Sequence, residues 1–486
     1  MANTVTELIF IPAPGVGHIM STIEIAKLLV NRDQRLFITV LIIMPRGMES
    51  GRAITSYIES LAKHTMDHIS FIQLPQDETP LVHNPKAPLT SFTEFVKTHC
   101  KYVRNVVADL TSQPGSRRVA GLVVDMFCTC MIDVANEFNV PTYVFFTSNA
   151  AFLGFTLHIK TLYDDMNADV VKLSNSDTEI PVPAFVKPVP TNVFWGPVKI
   201  REEIDFVKGF VRKLKEAKAI MVNTVLELET HAMASFSADN SIPPVYPVGP
   251  ILNLEGGSGS RKPFDDDVIT WLDTQPASSV VFLCFGSMGS FDEVQVKEIA
   301  RGLEQSGHHF LWSLRRPPLD QTSIVPTDYE DPSVVLPEGF MERTSGIGKV
   351  VGWVPQVAVL AHRAVGGFVS HCGWNSLLES LWFGVPSATW PIYAEQQMNA
   401  FNMVVELGLA VEITLDYYKK FSNPKANTVI VTAEEIKNGI RRVMVDNEVR
   451  TKVKEMSVKI RAAVMEGGSS YASVDGLIRD FTSDYS

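Results

Sequence analysis

The chain has 486 residues, 45% of them hydrophobic and 20% charged, with a formal net charge of −11. That length fits two or more domains at about 100–200 residues each, and the composition excludes disordered and fibrous classes. The acidic balance argues against a nucleic-acid partner, which would call for a basic patch. Five cysteines without paired metal spacing are expected to be reduced thiols of a cytoplasmic protein. No basic region followed by a long apolar core opens the chain, so no signal peptide is expected. The most apolar stretch, Leu36 to Met44, is nine residues long, against the ~20 that a bilayer span needs.

Along the chain, short apolar runs alternate with longer amphipathic ones, the pattern of parallel α/β folds. Strands are expected at Leu8–Ile11, Phe37–Met44, Gly121–Asp125, Thr142–Phe146 and Ala219–Asn223 in the first half. The first of these ends in PAPGVGH, a small-residue turn that leaves room for a ligand beside His18. Taken alone, His18 also reads as an ordinary histidine at a helix start. Asp125 closes a buried strand, where an acid is costly unless paired or facing a ligand; capping of the next helix is the plainer alternative. An aromatic set lies nearby in sequence: Phe127, Phe145, Phe146, Phe152 and Trp195, with Thr147 and Ser148 among them. Phe145 and Phe146 cannot share one face of a strand, so one of them belongs to the core.

The Gly/Ser-rich segment 253–263 reads as a linker, placing a domain boundary near residue 250. The second half repeats the plan of the first, with VVFLCFGSMGS matching IFIPAPGVGH. Strands are expected at Ser279–Phe285, Phe310–Leu314, Lys349–Val351, Gly367–Ser370 and Ser387–Trp390. Ser290 to Glu293 fits a capping box, with Val294, Ile299 and Leu303 on the following helical face. Ser287 precedes it at the strand end. Asp265, Asp266 and Asp267 read as the acidic start of a helix and not as a metal cluster.

The densest polar region is the 44-residue run from Trp353 to Gln396, WVPQVAVLAHRAVGGFVSHCGWNSLLESLWFGVPSATWPIYAEQ. Within it a buried strand turns at Ser370–Gly373 into a helix opening at Trp374, with Gly384 at its C-terminus. A helix start leaves N–H groups unpaired and partly positive, which suits a phosphate. His371, Asn375 and Ser376 add donors there, and Glu379 lies one turn on from Asn375, placed to accept from a ribose hydroxyl pair.

This run resembles the signature box of plant family-1 UDP-glycosyltransferases: an opening Trp, Gln three residues later, HCGWNS, a Glu and a closing Glu-Gln. The resemblance implies an α/β chain of the GT-B class, two facing Rossmann-like domains with parallel sheets and an interdomain cleft. Expected bounds are 1–249 for an acceptor domain, 250–264 for a linker, 265–477 for a UDP-sugar domain, and 478–486 for a tail returning to the first domain. It also implies that Trp353 stacks on uracil, the Val354 backbone reads its edge, and Gln356 joins Glu379 on the ribose; Gly373 is expected among the UDP-sugar-binding residues, and Ser287 at its strand end is expected to help stabilise the departing UDP. Trp374, Trp390, Glu395 and Gln396 would read the sugar. Gln in the closing position accompanies UDP-glucose in the family and His accompanies UDP-galactose; Glu395, where many relatives carry Asp, leaves room for altered sugar preference.

The matching PxxGH segment implies His18 as general base, oriented by Asp125, in an inverting transfer to a hydroxyl. Gly15, Phe127, Phe146, Thr147, Ser148, Phe152, Trp195 and Ala394 would line the site for a small lipophilic acceptor such as a flavonoid, another phenolic, a terpenoid or a hormone. A monomer without metal or other cofactor is expected. The open alternatives are another UDP-sugar, N-, S- or C-linked transfer, a nucleotide-sugar epimerase, and a non-catalytic UDP-sugar sensor.

Overall fold

Runs of consecutive buried residues, such as all six of β1 (Thr6–Ile11), form strands covered on both faces. A computed structural model of the chain describes residues 5–44, 54–55, 57–59, 67–77, 84, 86–112, 117–164, 169–174, 176–254, 263–318, 325–419 and 429–483, with only the backbone of 164 and 263–266. The first of its two units comprises 1–188, 197–253 and 462–486. After β1 come α1 (Val16–Arg32), β2 (Leu36–Ile42), β3 (Ile69–Gln73), β4 (Arg118–Asp125), β5 (Thr142–Phe146), α2 (Ala150–Asp164), β6 (Ala219–Val222) and β7 (Val245–Pro247). These strands make one seven-stranded parallel sheet in the order β3-β2-β1-β4-β5-β6-β7. Its core joins Phe10, Val40, Val123, Tyr143 and Phe145 to Ile23 and Leu29 of α1. The helix Ser469–Thr482 completes that core with Val474, Leu477, Ile478 and Phe481. It is further tied down by the Tyr143 hydroxyl donating to Asp480 at 2.7 Å.

The second unit comprises 189–196 and 254–461. Its strands are β8 (Val280–Cys284), β9 (His309–Ser313), β10 (Gly348–Val351), β11 (Val365–Ser370), β12 (Ser387–Thr389) and β13 (Ala410–Glu412). They form a second parallel sheet in the order β10-β9-β8-β11-β12-β13. Both sheets therefore have the doubly wound order in which the strand sequence reverses beside the first strand, and ligands bind at such reversals. In the first unit the reversal falls between β1 and β4; in the second it falls between β8 and β11.

Three strands of the two parallel sheets escaped the sequence reading: β3, β7 and β13, each at a sheet edge. β3 is mostly exposed, so it has no apolar run to announce it. The expected capping box at Ser290 is corrected. The helix α3 (Glu293–Ser306) is capped by Asp292, whose side chain accepts from the Gln295 amide at 2.9 Å. Ser290 is instead buried, and its carbonyl accepts from Lys419. Val294 faces solvent, and Val296, Ile299, Ala300 and Leu303 make the inner face. The expected linker falls largely on residues 255–262, outside the described residues. No helix among the described residues is long and apolar enough to cross a membrane.

Candidate active site

In the first unit, the loops leaving β1 and β4 bring His18 and Asp125 together. His18 is the third residue of α1, which Gly15 precedes in extended conformation. A Cβ on Gly15 would meet the His18 ring at 3.4 Å, at ordinary van der Waals contact. His18 Nδ1 lies 2.7 Å from Asp125 Oδ2, with the Asp125 side chain fully buried and that of His18 31% exposed. An ionised carboxylate only accepts, so Nδ1 carries the proton and Nε2 holds the lone pair. Asp125 also fulfils the plainer reading: its Oδ1 accepts from the Phe127 amide at 2.9 Å and caps the turn Met126–Cys128. One carboxylate thus fixes both the imidazole and the loop beside it. Thr147 Oγ1 stands 3.2 Å from the same Nδ1.

The Phe127 ring meets His18 edge-on at 5.6 Å. Phe92 and Phe210 pack on Phe127 at 5.8 and 6.4 Å, and Phe206 stacks on Phe210. These three phenylalanines were missed in the sequence; they come from two helices with no motif, and only the fold gathers them. Of the other expected acceptor residues, Phe146 and Phe152 are wholly buried and pack on each other, and Ser148 is buried beside them in sequence. Trp195, expected with the first domain, lies in the segment 189–196 that groups with the second unit, and its ring is buried. Ala394 also lies in the second unit, in the left-handed region at φ +57°.

In the second unit, the loops leaving β8 and β11 meet in the same way. Gly286, at φ +72°, and Gly373 pack against the His371 ring so closely that a Cβ on either would fall 2.6 or 2.5 Å from Nε2. His371 is buried, and among the described residues its Nδ1 has no hydrogen-bond partner. Burial pushes its pKa down to about 4, opposed by a weaker contribution from the Cys284 backbone. Helix α5 (Trp374–Phe383) begins after Gly373 with no side chain capping it and ends at Gly384 in the left-handed conformation. Gln356, at the start of α4 (Gln356–Leu360), donates through Nε2 to Ser376 Oγ at 2.8 Å and to Glu379 Oε2 at 2.7 Å. Burial lifts the Glu379 carboxyl to about 7, against the opposing hydrogen bond from Gln356.

The remaining residues of the run are placed unevenly. Trp353 is 47% exposed, and its amide donates to Asp328 at 3.0 Å. Ser287 is exposed, Val354 buried and Asn375 half-buried. Trp374 is buried at the first position of α5. Trp390, expected to read sugar hydroxyls, has its whole ring in the core among Phe285, Phe291 and Tyr417. The Gln396 Oε1 accepts from the amides of Ile392 and Tyr393 at 2.9 and 3.0 Å, so this side chain also shapes its own loop. Helix α6 (Gln396–Phe401) starts there, and Glu395 is the residue before it. Asn399 of α6 was not singled out in the sequence. Among the described residues no three His, Cys, Asp or Glu side chains gather as metal ligands, and Asp267 pairs with Lys349 at 2.7 Å.

Residues 207–458 match the family model described as UDP-glucoronosyl and UDP-glucosyl transferase. The chain is 51% identical over 479 residues to UDP-glucose flavonoid 3-O-glucosyltransferase 6 of Fragaria ananassa, covering 96% of this chain and 97% of that one. Among solved structures it is similar to Medicago truncatula UGT71G1 complexed with UDP-glucose, with 41% identity, 99% of both chains covered and a TM-score of 0.86. A transferase from Siraitia grosvenorii in complex with UDP is 44% identical, with a TM-score of 0.85 over 98% of this chain and 100% of that one.

Proposed function

We propose that this chain, which belongs to the family of UDP-glucoronosyl and UDP-glucosyl transferases and is a UDP-glycosyltransferase, moves glucose from UDP-glucose to a hydroxyl of a small lipophilic plant metabolite, with inversion at the anomeric carbon. The observation that carries this reading is the 2.7 Å contact between His18 and the buried Asp125. A neutral alcohol or phenol is a poor nucleophile, so a base must take its proton as its oxygen attacks. His18 Nε2 is that base, and Asp125 holds the tautomer and stabilises the imidazolium that forms. Asp125 is therefore a positioning residue, and His18 is the catalytic one.

UDP leaves with developing negative charge. The uncapped start of α5 and the donors of His371, Asn375 and Ser376 suit that charge, and Glu379 with Gln356 suits the ribose. No step needs a metal. Glucose as the sugar is supported by Gln396 at the closing position of the run, where its Oε1 is held by the amides of its own loop. A flat lipophilic acceptor is supported by the ring set Phe92, Phe127, Phe206 and Phe210 beside His18. Cytoplasmic residence and a monomeric state complete the reading.

The test is product mass spectrometry with UDP-glucose and a panel of phenolics and terpenoids, on wild type and two variants. His18→Ala is expected to lose about 10²–10⁴-fold in turnover, the usual worth of a general base, with UDP affinity by calorimetry retained. Asp125→Asn, which favours the wrong tautomer, is expected to lose much of the rate as well. Near-normal turnover by folded His18→Ala would refute the assignment.

A further inference from the structure

Asn399 lies on α6, fully buried, with no motif pointing to it. Its Nδ2 donates to the Cys372 carbonyl at 2.9 Å and reaches Glu395 Oε1 at 3.5 Å. One amide group therefore bridges two loops: the turn after β11 that precedes α5, and the turn after β12 that carries Glu395 and Gln396. Its own backbone amide, donating to the Glu395 carbonyl at 3.0 Å, fixes it to the second loop.

The bridge matters because of what stands across the peptide it holds. Cys372 adopts φ +64°, a left-handed conformation that a non-glycine residue takes only when its surroundings enforce it. A trans peptide is planar, with its C=O and the following N–H on opposite edges. Anchoring the Cys372 carbonyl on Asn399 therefore turns the Gly373 N–H the other way, at the residue that opens α5. The amide of Cys372 itself is held by Ser370 Oγ at 3.1 Å, so the turn is fixed on both sides.

We propose that Asn399 is a positioning residue for the donor. It sets the Cys372–Gly373 peptide so that the Gly373 N–H donates to the diphosphate, and it holds Glu395 in register with the sugar. The inference rests on reading the second unit as the UDP-sugar site. A single amide thereby couples grip on the diphosphate to discrimination of the sugar.

Calorimetry with UDP and with uridine, together with competition between UDP-glucose and UDP-xylose, tests this. Asn399→Ala is expected to raise the Kd for UDP about tenfold, the usual scale of a lost hydrogen bond to a charged group, to leave uridine affinity unchanged, and to narrow the preference between the two donors. Asn399→Asp keeps the volume but sets a carboxylate against a carbonyl, and is expected to do the same; it carries the test should the alanine variant not fold. Equal losses for uridine and UDP, or unchanged UDP affinity and donor preference, would overturn the role. A crystal structure of the wild type with UDP that showed the Gly373 N–H turned away from the diphosphate would overturn it without any variant. His371→Ala separates the two levels. If it too leaves UDP affinity intact, the donor-site reading falls; if it weakens UDP while Asn399→Ala is silent, only the positioning role falls.

Discussion

Glu379, partly buried, and His371, buried, are ionisable groups that desolvation displaces in opposite directions. With its carboxyl raised by burial from 4.5 to about 7, Glu379 favours the folded state fully below its unfolded pKa, and that contribution is lost as pH rises through about 7. At about pH 8 its ionised form therefore costs the unliganded protein on the order of 3 kcal/mol. Glu379→Gln keeps an oxygen for Gln356 and should raise the unfolding temperature near pH 8, by progressively less toward pH 5. The same change should weaken UDP binding, because an amide oxygen accepts from hydroxyls less strongly than a carboxylate. Thermal denaturation with and without UDP across that range checks both effects, and a stabilisation of equal size at both ends would contradict the first. For His371, lowered by burial to about 4, the sign reverses. Its neutral form supports folding above about 6.5, and that support is lost as pH falls through about 4.

A loop at a strand end places His371, and there glycine is required by geometry. At φ +72°, with the His371 Nε2 2.6 Å from where a Cβ would stand, Gly286 is excluded to other residues twice over. The Gly286→Ala substitution should cost roughly 1–2 kcal/mol for the backbone alone and should also push the imidazole out of place. The expected result is a loss of UDP affinity larger than any fall in unfolding temperature explains, with uridine binding less affected; titration calorimetry beside thermal denaturation measures this. Strand ends of this kind were legible in the sequence. β1, β4, β8 and β11 are buried runs broken by small or polar residues, so His18, Asp125, Ser287 and His371 could be placed at strand ends. Helix starts were less legible. The true cap of α3, Asp292, was passed over because Ser290 fits the capping pattern, yet Ser290 is held by Lys419, more than a hundred residues on. Asn399 was invisible for the same reason, since its partner Cys372 lies 27 positions away.

At the scale of the molecule, the same strand order recurs in both sheets. Each half begins with the strand beside which the order reverses, so the first turn of each half, PAPGVGH or FGSMG, opens at a reversal of the kind at which such sheets bind ligands. The exchanges of chain between units were not readable in full, because they depend on surfaces that exist only after folding. Residues 189–196 group with the second unit and residues 462–486 with the first. Ser469–Thr482 looks like any amphipathic surface helix in sequence. Its inner face, however, carries Val474, Leu477, Ile478 and Phe481 into the core under the first sheet, with Tyr143 meeting Phe481 edge-on at 4.6 Å. A core Phe→Ala change typically costs about 3–5 kcal/mol, and Phe481→Ala should place that cost in the first unit. Hydrogen exchange is expected to show reduced protection in β1, β4 and β5. Saturating UDP should act elsewhere, raising protection in β8 and β11, by about 2.7 kcal/mol at a hundredfold excess over Kd. Loss of protection confined to β8 and β11 in Phe481→Ala would mean that the C-terminal helix supports the wrong core. UDP protection centred on β1 and β4 would move the donor site itself to the first unit.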